Sequence, residues 1–323
     1  MKAIVAGLTG LMGLVALTGA AAAQVVTIGS NPQGALLYNV AVAVAKVMDE
    51  KMAVQARVQP MAGTSTYLPL MNRAEMDLGL ANVDELQTAV AGTAAFEGKP
   101  NPNLRVVATL FPLPLGLAVP ADSTVRRTAD LKGLRMGGGY PGQTTARVVQ
   151  EAMLANGGLG SADIRPVPMV NLFAAIEGLA QGKVDAAVIS PSSAQVHKAH
   201  TDLAGRGGLR FVSIETDAAA VERMRKLIPS RPMQLQPSPQ HPGMAAPTWT
   251  MAYSMFVLAN NQTADDLVYR LAATLHKSRD DLARTVPALA AFDPARMTER
   301  VAATWHPGAA RFYREIGQWP PRD

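Results

Sequence analysis

The sequence predicts an α/β protein of two doubly wound lobes joined by a hinge that the chain crosses twice. Three observations predict it. Sliding the chain along itself by 108 positions brings Gly29 onto Gly137, Gly34 onto Gly142, Pro60 onto Pro168, Met61 onto Met169 and Asp77 onto Asp185. The element types repeat with the letters: "VTIGSNPQGALLYNVAVAVAKVM" and "LRMGGGYPGQTTARVVQEAML" each read as strand, glycine/proline loop, helix. Likewise "RAEMDLGLAN" and "GKVDAAVIS" each read as a helix end, an acidic residue, a buried strand and a loop. Finally, "LFPLPLGLAVPADS" (110–123) leads out of the first unit and "WTMAYSMFVLANN" (249–261) leads back.

Taken in order, the chain opens with Lys2, an apolar run from Ile4 to Leu17 and the small residues "TGAAAAQ". That pattern predicts a secretory signal over 1–23, cleaved after Ala23, because the apolar run is shorter than the roughly 20 residues a membrane span needs. Cleavage leaves 300 of the 323 residues, room for lobe 1 (24–116 plus 255–323), lobe 2 (117–254) and a cleft between them. Leu36, Val40, Val44 and Val47 share one helical face after Pro32, which suits a first helical turn. "LRVVATLF", "LGLAVP" and "AAVIS" read as buried parallel strands. Val148, Ala152 and Ala155 follow the second glycine loop, and Leu172, Ile176 and Leu179 form a helix closed by Gly182. "SRPMQLQPSPQHPGMAAP" reads as a surface excursion, followed by a helix carrying Leu267, Leu271 and Leu275 and by the terminal "HPGAARFYREIG".

Composition removes several classes of function. The chain has no cysteine, hence no disulfide, thiolate ligand or cysteine nucleophile. Its net charge of +5 is scattered, in "VRRTADLKGLR" and "ERMRKLIPSR" among other places, and aromatic residues are 5%; a nucleic-acid partner is not expected. There is no GxxxxGK[ST], GxGxxG or GxSxG, and His197 and His200 lack the glutamate of HExxH. No metal or cofactor is expected, and Asp77 and Asp185 read as turn or cap residues, not as an acid/base pair.

A glycine loop that feeds a helix N-terminus presents free N–H groups to an anion. Ligands of doubly wound sheets lie beyond the carboxyl ends of the strands, where these loops fall. The first loop offers Ser30, Asn31, Gln33, Gly34 and Tyr38, "MAGTSTY" adds Gly63, Thr64 and Ser65, and "LANVDEL" adds Asn82 and Asp84. From the second unit come Gly142, Gln143, Thr144 and Thr145, with one of the threonines as a helix cap, and Ser192 from "SPSSAQ".

"TIGSNPQGALLYNVAVAVAKVMDE", "MAGTSTYLPLMNRAEMDLGLANVDEL", "LRVVATLFPLPLGLAV", "DLKGLRMGGGYPGQTT" and "HPGAARFYREIG" together resemble the TAXI-type solute receptors of TRAP transporters. The resemblance covers most of the mature chain. It implies a periplasmic binding protein fold of type II that closes on a small organic anion such as a carboxylate or amino acid; a monomer is expected. It also implies delivery to a TRAP-type integral membrane permease, with Ser30, Asn31, Gly34, Tyr38, Thr64, Ser65, Gly142, Gln143, Thr144 and Thr145 at the ligand. Two loops depart from the family: "NPQG" stands where relatives are richer in glycine and threonine, and "SPSSAQ" where they carry glycine and proline. The carboxylate-clamping arginine of other TRAP receptors has no counterpart except, by position, Arg147.

Overall fold

The computed structural model describes residues 25–33, 35–141 and 143–321, with the backbone alone at Thr144. The expected signal segment 1–23 and the loop residues Gly34 and Gly142 lie outside the described residues.

The first unit runs β1 (Val25–Ser30), α1 (Leu36–Met52), β2 (Gln55–Pro60), α2 (Thr64–Asn72), β3 (Leu78–Asn82) and α3 (Val83–Ala91). β1 lies between β2 and β3, parallel to both, with Ile28 opposite Val58 and Leu78. Parallel neighbours require crossovers, which α1 and α2 supply. α1 buries Val40, Val44, Val47 and Met48, the face its periodicity assigns. It starts later than the proline suggests: the Pro32 carbonyl accepts from the Ala35 N–H at 3.1 Å, so Pro32 belongs to the turn before the helix.

After β4 (Leu104–Pro120) the second unit repeats the order with β5 (Arg135–Gly139), α4 (Thr144–Asn156), β6 (Arg165–Met169), α5 (Leu172–Ala180), β7 (Ala187–Ile189) and α6 (Ala194–Asp202). β5 pairs with β6 in parallel, and a parallel bridge from Met136 to Ala186 sets β7 on its other side. Then follow β8 (Leu209–Val212), α7 (Ala218–Arg225), β9 (Arg231–Leu235), β10 (Thr248–Asn260), α8 (Asp265–His276), α9 (Arg279–Thr285) and α10 (Pro307–Glu315).

The internal repeat extends to single hydrogen bonds. The Asp77 carboxylate accepts from the Thr27 N–H at 2.8 Å, and the Asp185 carboxylate accepts from the Arg135 N–H at 2.8 Å. Thr27 and Arg135 are themselves separated by the repeat offset. Each aspartate fastens the start of the first strand of its lobe, which is the cap role expected of it; the Arg135 guanidinium further holds the Asp185 carboxyl below its ordinary range. Gly29 and Gly137 also correspond. A Cβ on Gly29 would stand 2.9 Å from the Tyr67 ring and against the Met76 sulfur; one on Gly137 would meet the Tyr140 hydroxyl and, at 3.1 Å, Ala175. Tyr140 reaches its place with φ +51°, and its hydroxyl donates to Gln150 Oε1 at 2.7 Å.

Two sequence expectations are corrected. "LRVVATLF" and "LGLAVP" are one 17-residue strand, β4, and it is antiparallel to β10, β7 and β8. Hydrophobic runs give burial, not strand direction, so the pattern could not distinguish the two. The proline-rich excursion begins with a strand, β9, on the edge of β10, where Pro232 is tolerated.

Gly29→Ala is expected to destabilise the protein by about 1–3 kcal/mol through overpacking against Tyr67 and Met76. Gly63, whose Cβ would meet nothing within 4 Å, should accept alanine within about 0.5 kcal/mol. Urea unfolding of the two variants beside the parent checks the contrast; equal losses would disprove it.

Candidate functional site

Between the lobes the sheet narrows to two strands. β3 leaves β10 at Met255, β9 joins it at Ala252, and β7 joins β4 at Gly116. From there the carboxyl ends of β1 and β3 in one lobe and of β5 and β7 in the other face a common cleft. A hydrogen bond crosses it: the Thr145 hydroxyl, in the first turn of α4, donates to Asp84 Oδ2 in the first turn of α3 at 3.4 Å.

Four helices that follow the carboxyl ends of parallel strands have open N-termini. α1, α2, α4 and α6 have neither a side-chain cap bond nor an acidic residue in the first turn. Among the described residues every other α-helix has one or the other. Asn82, Asn171, Asp217 and His306 cap α3, α5, α7 and α10, and α8 and α9 carry aspartates in their first turns. Among the described residues, no side chain caps the starts of these four helices, two from each lobe, and their remaining N–H groups and positive dipole ends are open to an anion.

Beside these donors stands an acidic wall. Asn82 and Glu85 form a capping box: the Glu85 N–H donates to Asn82 Oδ1 at 2.9 Å and the Asn82 N–H to Glu85 Oε2 at 3.1 Å. Part of Glu85 remains accessible, but its carboxyl is packed about by protein. That desolvation pushes its pKa up to about 7, opposed by the Asn82 N–H and the Thr64 hydroxyl and aided by the Asp84 charge. Asp84 is also raised by desolvation, against the pull of Thr145 and Arg147. Tyr253 lies nearby. Because Met255 is opposite Asn82, Tyr253 falls two residues beyond the end of β3, close to the acids at the start of α3. Burial raises its hydroxyl pKa strongly, and Glu85 and Asp84 add to the shift.

The sequence-predicted residues divide between the cleft and the framework. Gly63 is the N-cap of α2, Ser65 is exposed in its first turn, and Thr64 is buried beside Glu85. Ser30 is buried and donates to the Asn31 carbonyl at 3.1 Å; Asn31 Oδ1 is buried without a partner. Gln33 is exposed and Tyr38 half-buried. Asn82 spends its oxygen on the cap of α3, and Gln143 Oε1 accepts from the Leu172 N–H at 3.2 Å, tying the two loops of lobe 2 together. The cap of α4 is Gln143, so neither Thr144 nor Thr145 fills that place. Ser192 is exposed, with its hydroxyl 3.5 Å from that of Ser190. Arg147 points along its own helix to Glu151 at 3.1 Å and is not a clamp. His200 Nδ1 accepts from the Leu209 N–H, a structural bond. Sequence reasoning missed Glu85 and Tyr253 as site residues. The Asn-x-x-Glu spacing of a capping box gave a signal for Glu85, whereas the place of Tyr253 depends on strand register.

Two α/β lobes on a two-stranded waist, with helix starts at the carboxyl ends of the parallel strands, make up a two-lobe α/β fold. The chain belongs to the NMT1-like family, whose model matches residues 28–317. Its fold is similar to that of the periplasmic aliphatic sulphonate binding protein SsuA from Escherichia coli, at 16% identity and TM-score 0.53, covering 92% of this chain and 91% of that one. It is also similar to PhnD1 from Prochlorococcus marinus in complex with methylphosphonate, at 13% identity and TM-score 0.53, covering 91% and 99%. A TctC solute binding protein from Polaromonas matches at 15% identity and TM-score 0.57, covering 84% and 90%. At these identities the likeness is one of fold.

Glu85 gives the site a pH signature. Its pKa is higher in the folded chain than the ordinary carboxylate value, so its ionisation opposes folding. The cost is absent below about pH 4.5 and complete above about pH 7. Glu85→Gln keeps an acceptor for the Asn82 N–H and is expected to raise stability by on the order of 1–3 kcal/mol at pH 8, with the gain fading by pH 4.5. Thermal unfolding of both proteins across that range measures it, and a pH-independent difference would refute the assignment.

Proposed function

We propose that the protein is an exported receptor that captures a small organic anion between its lobes and hands it to a membrane permease. The observation that carries this reading is the set of four uncapped helix starts, drawn from both lobes and facing one cleft. Each offers backbone N–H donors and a partial positive charge, and only closure brings donors of both lobes onto one ligand. Ser65 and Gly63 at α2, Asn31 before α1 and Thr145 at α4 belong to this seat, with Ser30, Gln33, Tyr38, Thr64 and Ser192 in its loops; the sequence adds Gly34, Gly142 and Thr144 as candidates. The lobes divide as 24–116 plus 255–323 and 117–254, with the hinge at the waist.

Family membership and the two-lobe neighbours support transport over turnover. The sulphonate and methylphosphonate named for two neighbours support an oxyanion head group, a class wider than the carboxylate suggested by the TAXI resemblance. That resemblance supports a TRAP-type permease as the partner; Lys2, the apolar run and "TGAAAAQ" support a periplasmic location after cleavage behind Ala23, and the receptor works as a monomer.

Thermal unfolding of the mature protein against carboxylates, sulphonates, phosphonates and amino acids tests the proposal. A ligand recovered intact should raise stability by RT ln(1 + [L]/Kd), and small-angle scattering should show compaction with the same compound. Ser65→Ala is expected to weaken its binding by roughly 0.5–1.5 kcal/mol without lowering the stability of the empty protein. Consumption of the compound, or binding without compaction, would overturn the receptor reading.

A further inference from the structure

We infer that the ligand is a zwitterion: its anionic group lies on the open helix N-termini, and a protonated nitrogen lies against Asp84, Glu85 and the Tyr253 hydroxyl. The inference rests on the receptor reading above and names the ligand class that this cleft selects.

Two adjacent carboxylates in a desolvated wall need a counter-charge. Among the described residues none of the neighbours that shift Glu85 is cationic, and the cation that acts on Asp84, Arg147, is paired with Glu151. The Thr145 hydroxyl that meets Asp84 at 3.4 Å is neutral and long for a hydrogen bond. The second observation is independent of the acids. Tyr253 is 5% exposed and buries its ring at the waist, yet its hydroxyl makes no hydrogen bond to the described residues. Strand register sets it two residues beyond the end of β3, beside the two carboxylates. On the same lobe Asn31 Oδ1 is also buried without a partner. A buried oxygen without a partner, as at Asn31, is uncommon in folded proteins. Carboxylates, an amide oxygen and a hydroxyl oxygen can all accept, and an ammonium group has up to three N–H bonds to give.

Among the described residues the opposite end of the cleft carries no acid and offers helix N–H groups and serine hydroxyls, with Ser193 Oγ at the start of α6 buried and unpaired. α4 and α6 of lobe 2 present N–H groups without an acid in either first turn. A ligand with charges of both signs satisfies both ends at once; a simple anion leaves the acidic wall unpaired, and a simple cation leaves the helix starts empty.

Matched pairs separate these cases: alanine and propionate, glutamate and glutarate, 2-aminoethanesulfonate and ethanesulfonate, 2-aminoethylphosphonate and ethylphosphonate. The purified mature protein is titrated with each at pH 7.5, followed by thermal unfolding and calorimetry, with and without EDTA. At least one amino compound is expected to bind roughly ten- to a hundredfold more tightly than its partner, the range for one charge-assisted contact. Asp84→Asn should cut that preference about tenfold, and Tyr253→Phe, which keeps the ring, should cut it by a smaller factor. Equal binding within every pair, or preference for the compound lacking nitrogen, overturns the zwitterion while leaving the anion receptor intact. So does binding that needs Ca2+ or Mg2+ and is lost with EDTA, since a metal would then supply the counter-charge. Binding by simple amines alone, or by no member of any pair, overturns the receptor reading as well.

Discussion

The backbone pairing of β4 with β10 runs from Leu104 opposite Asn260 to Leu115 opposite Met251, and among the described residues it is the ladder that both lobes share. Towards one end the pair is flanked by β3, and towards the other by β9, β7 and β8. In between, at Pro112–Leu113 and Tyr253–Ser254, each strand has only the other among the described residues. A two-stranded ribbon twists more easily than a wide sheet, since fewer hydrogen bonds and fewer packed neighbours resist it. The cleft therefore opens onto the thinnest part of the molecule, and the residues that sit on the waist, Tyr253 among them, feel both lobes.

Local chemistry explains why the waist stays narrow. Pro112 and Pro114 lie two residues apart on β4, so their missing N–H groups fall on one edge of the strand. That edge cannot accept another strand in the ordinary way, and β7 begins only at Gly116. Towards lobe 1, register shifts between Met255 and Phe256 and between Val257 and Leu258 leave Leu110 and Val107 without partners on β10. Extra residues of this kind bend and twist a strand. The C-terminal segment braces the ribbon from outside: Glu299 accepts from the Ser254 hydroxyl and lies 3.6 Å from the Arg231 guanidinium.

What the sequence made legible follows the same division between local and long-range causes. The repeat was visible because Asp77 and Asp185, Gly29 and Gly137 answer to local geometry. An aspartate must reach the N–H of a strand fifty residues back, and a glycine must lie under a ring. Helix faces were legible from period alone. The continuity of β4 was not, because "FPLPLG" looks like a break unless the lone-ribbon setting is known. The cleft was legible as a set of loops, but the division of labour inside it was not. Asn82 and Gln143 carry the same polar groups as a ligand residue and use their side-chain oxygens on helix starts instead. Tyr253 became a site residue only through its register against β3.

Electrostatic magnitudes tie the two walls of the cleft together. An anion held about 6 Å from one ionised carboxylate feels a repulsion of about 3 kcal/mol at an effective dielectric constant of 20. Each open helix N-terminus returns roughly 0.3–1 kcal/mol, and at most about 2 where it is partly buried. Four such termini are thus of the same size as the opposition from Asp84 and Glu85 together, and an anion with nothing else to offer would gain little. Two routes remove the opposition. Glu85, with a pKa near 7, can take up a proton, which makes anion binding strengthen as the pH falls. Alternatively, a positive group on the ligand turns the repulsion into an attraction of similar size. The second route also gives the Tyr253 hydroxyl, which lies beside both carboxylates, a donor that a proton on Glu85 does not. The acidic wall and that hydroxyl therefore favour a ligand that brings its own positive charge.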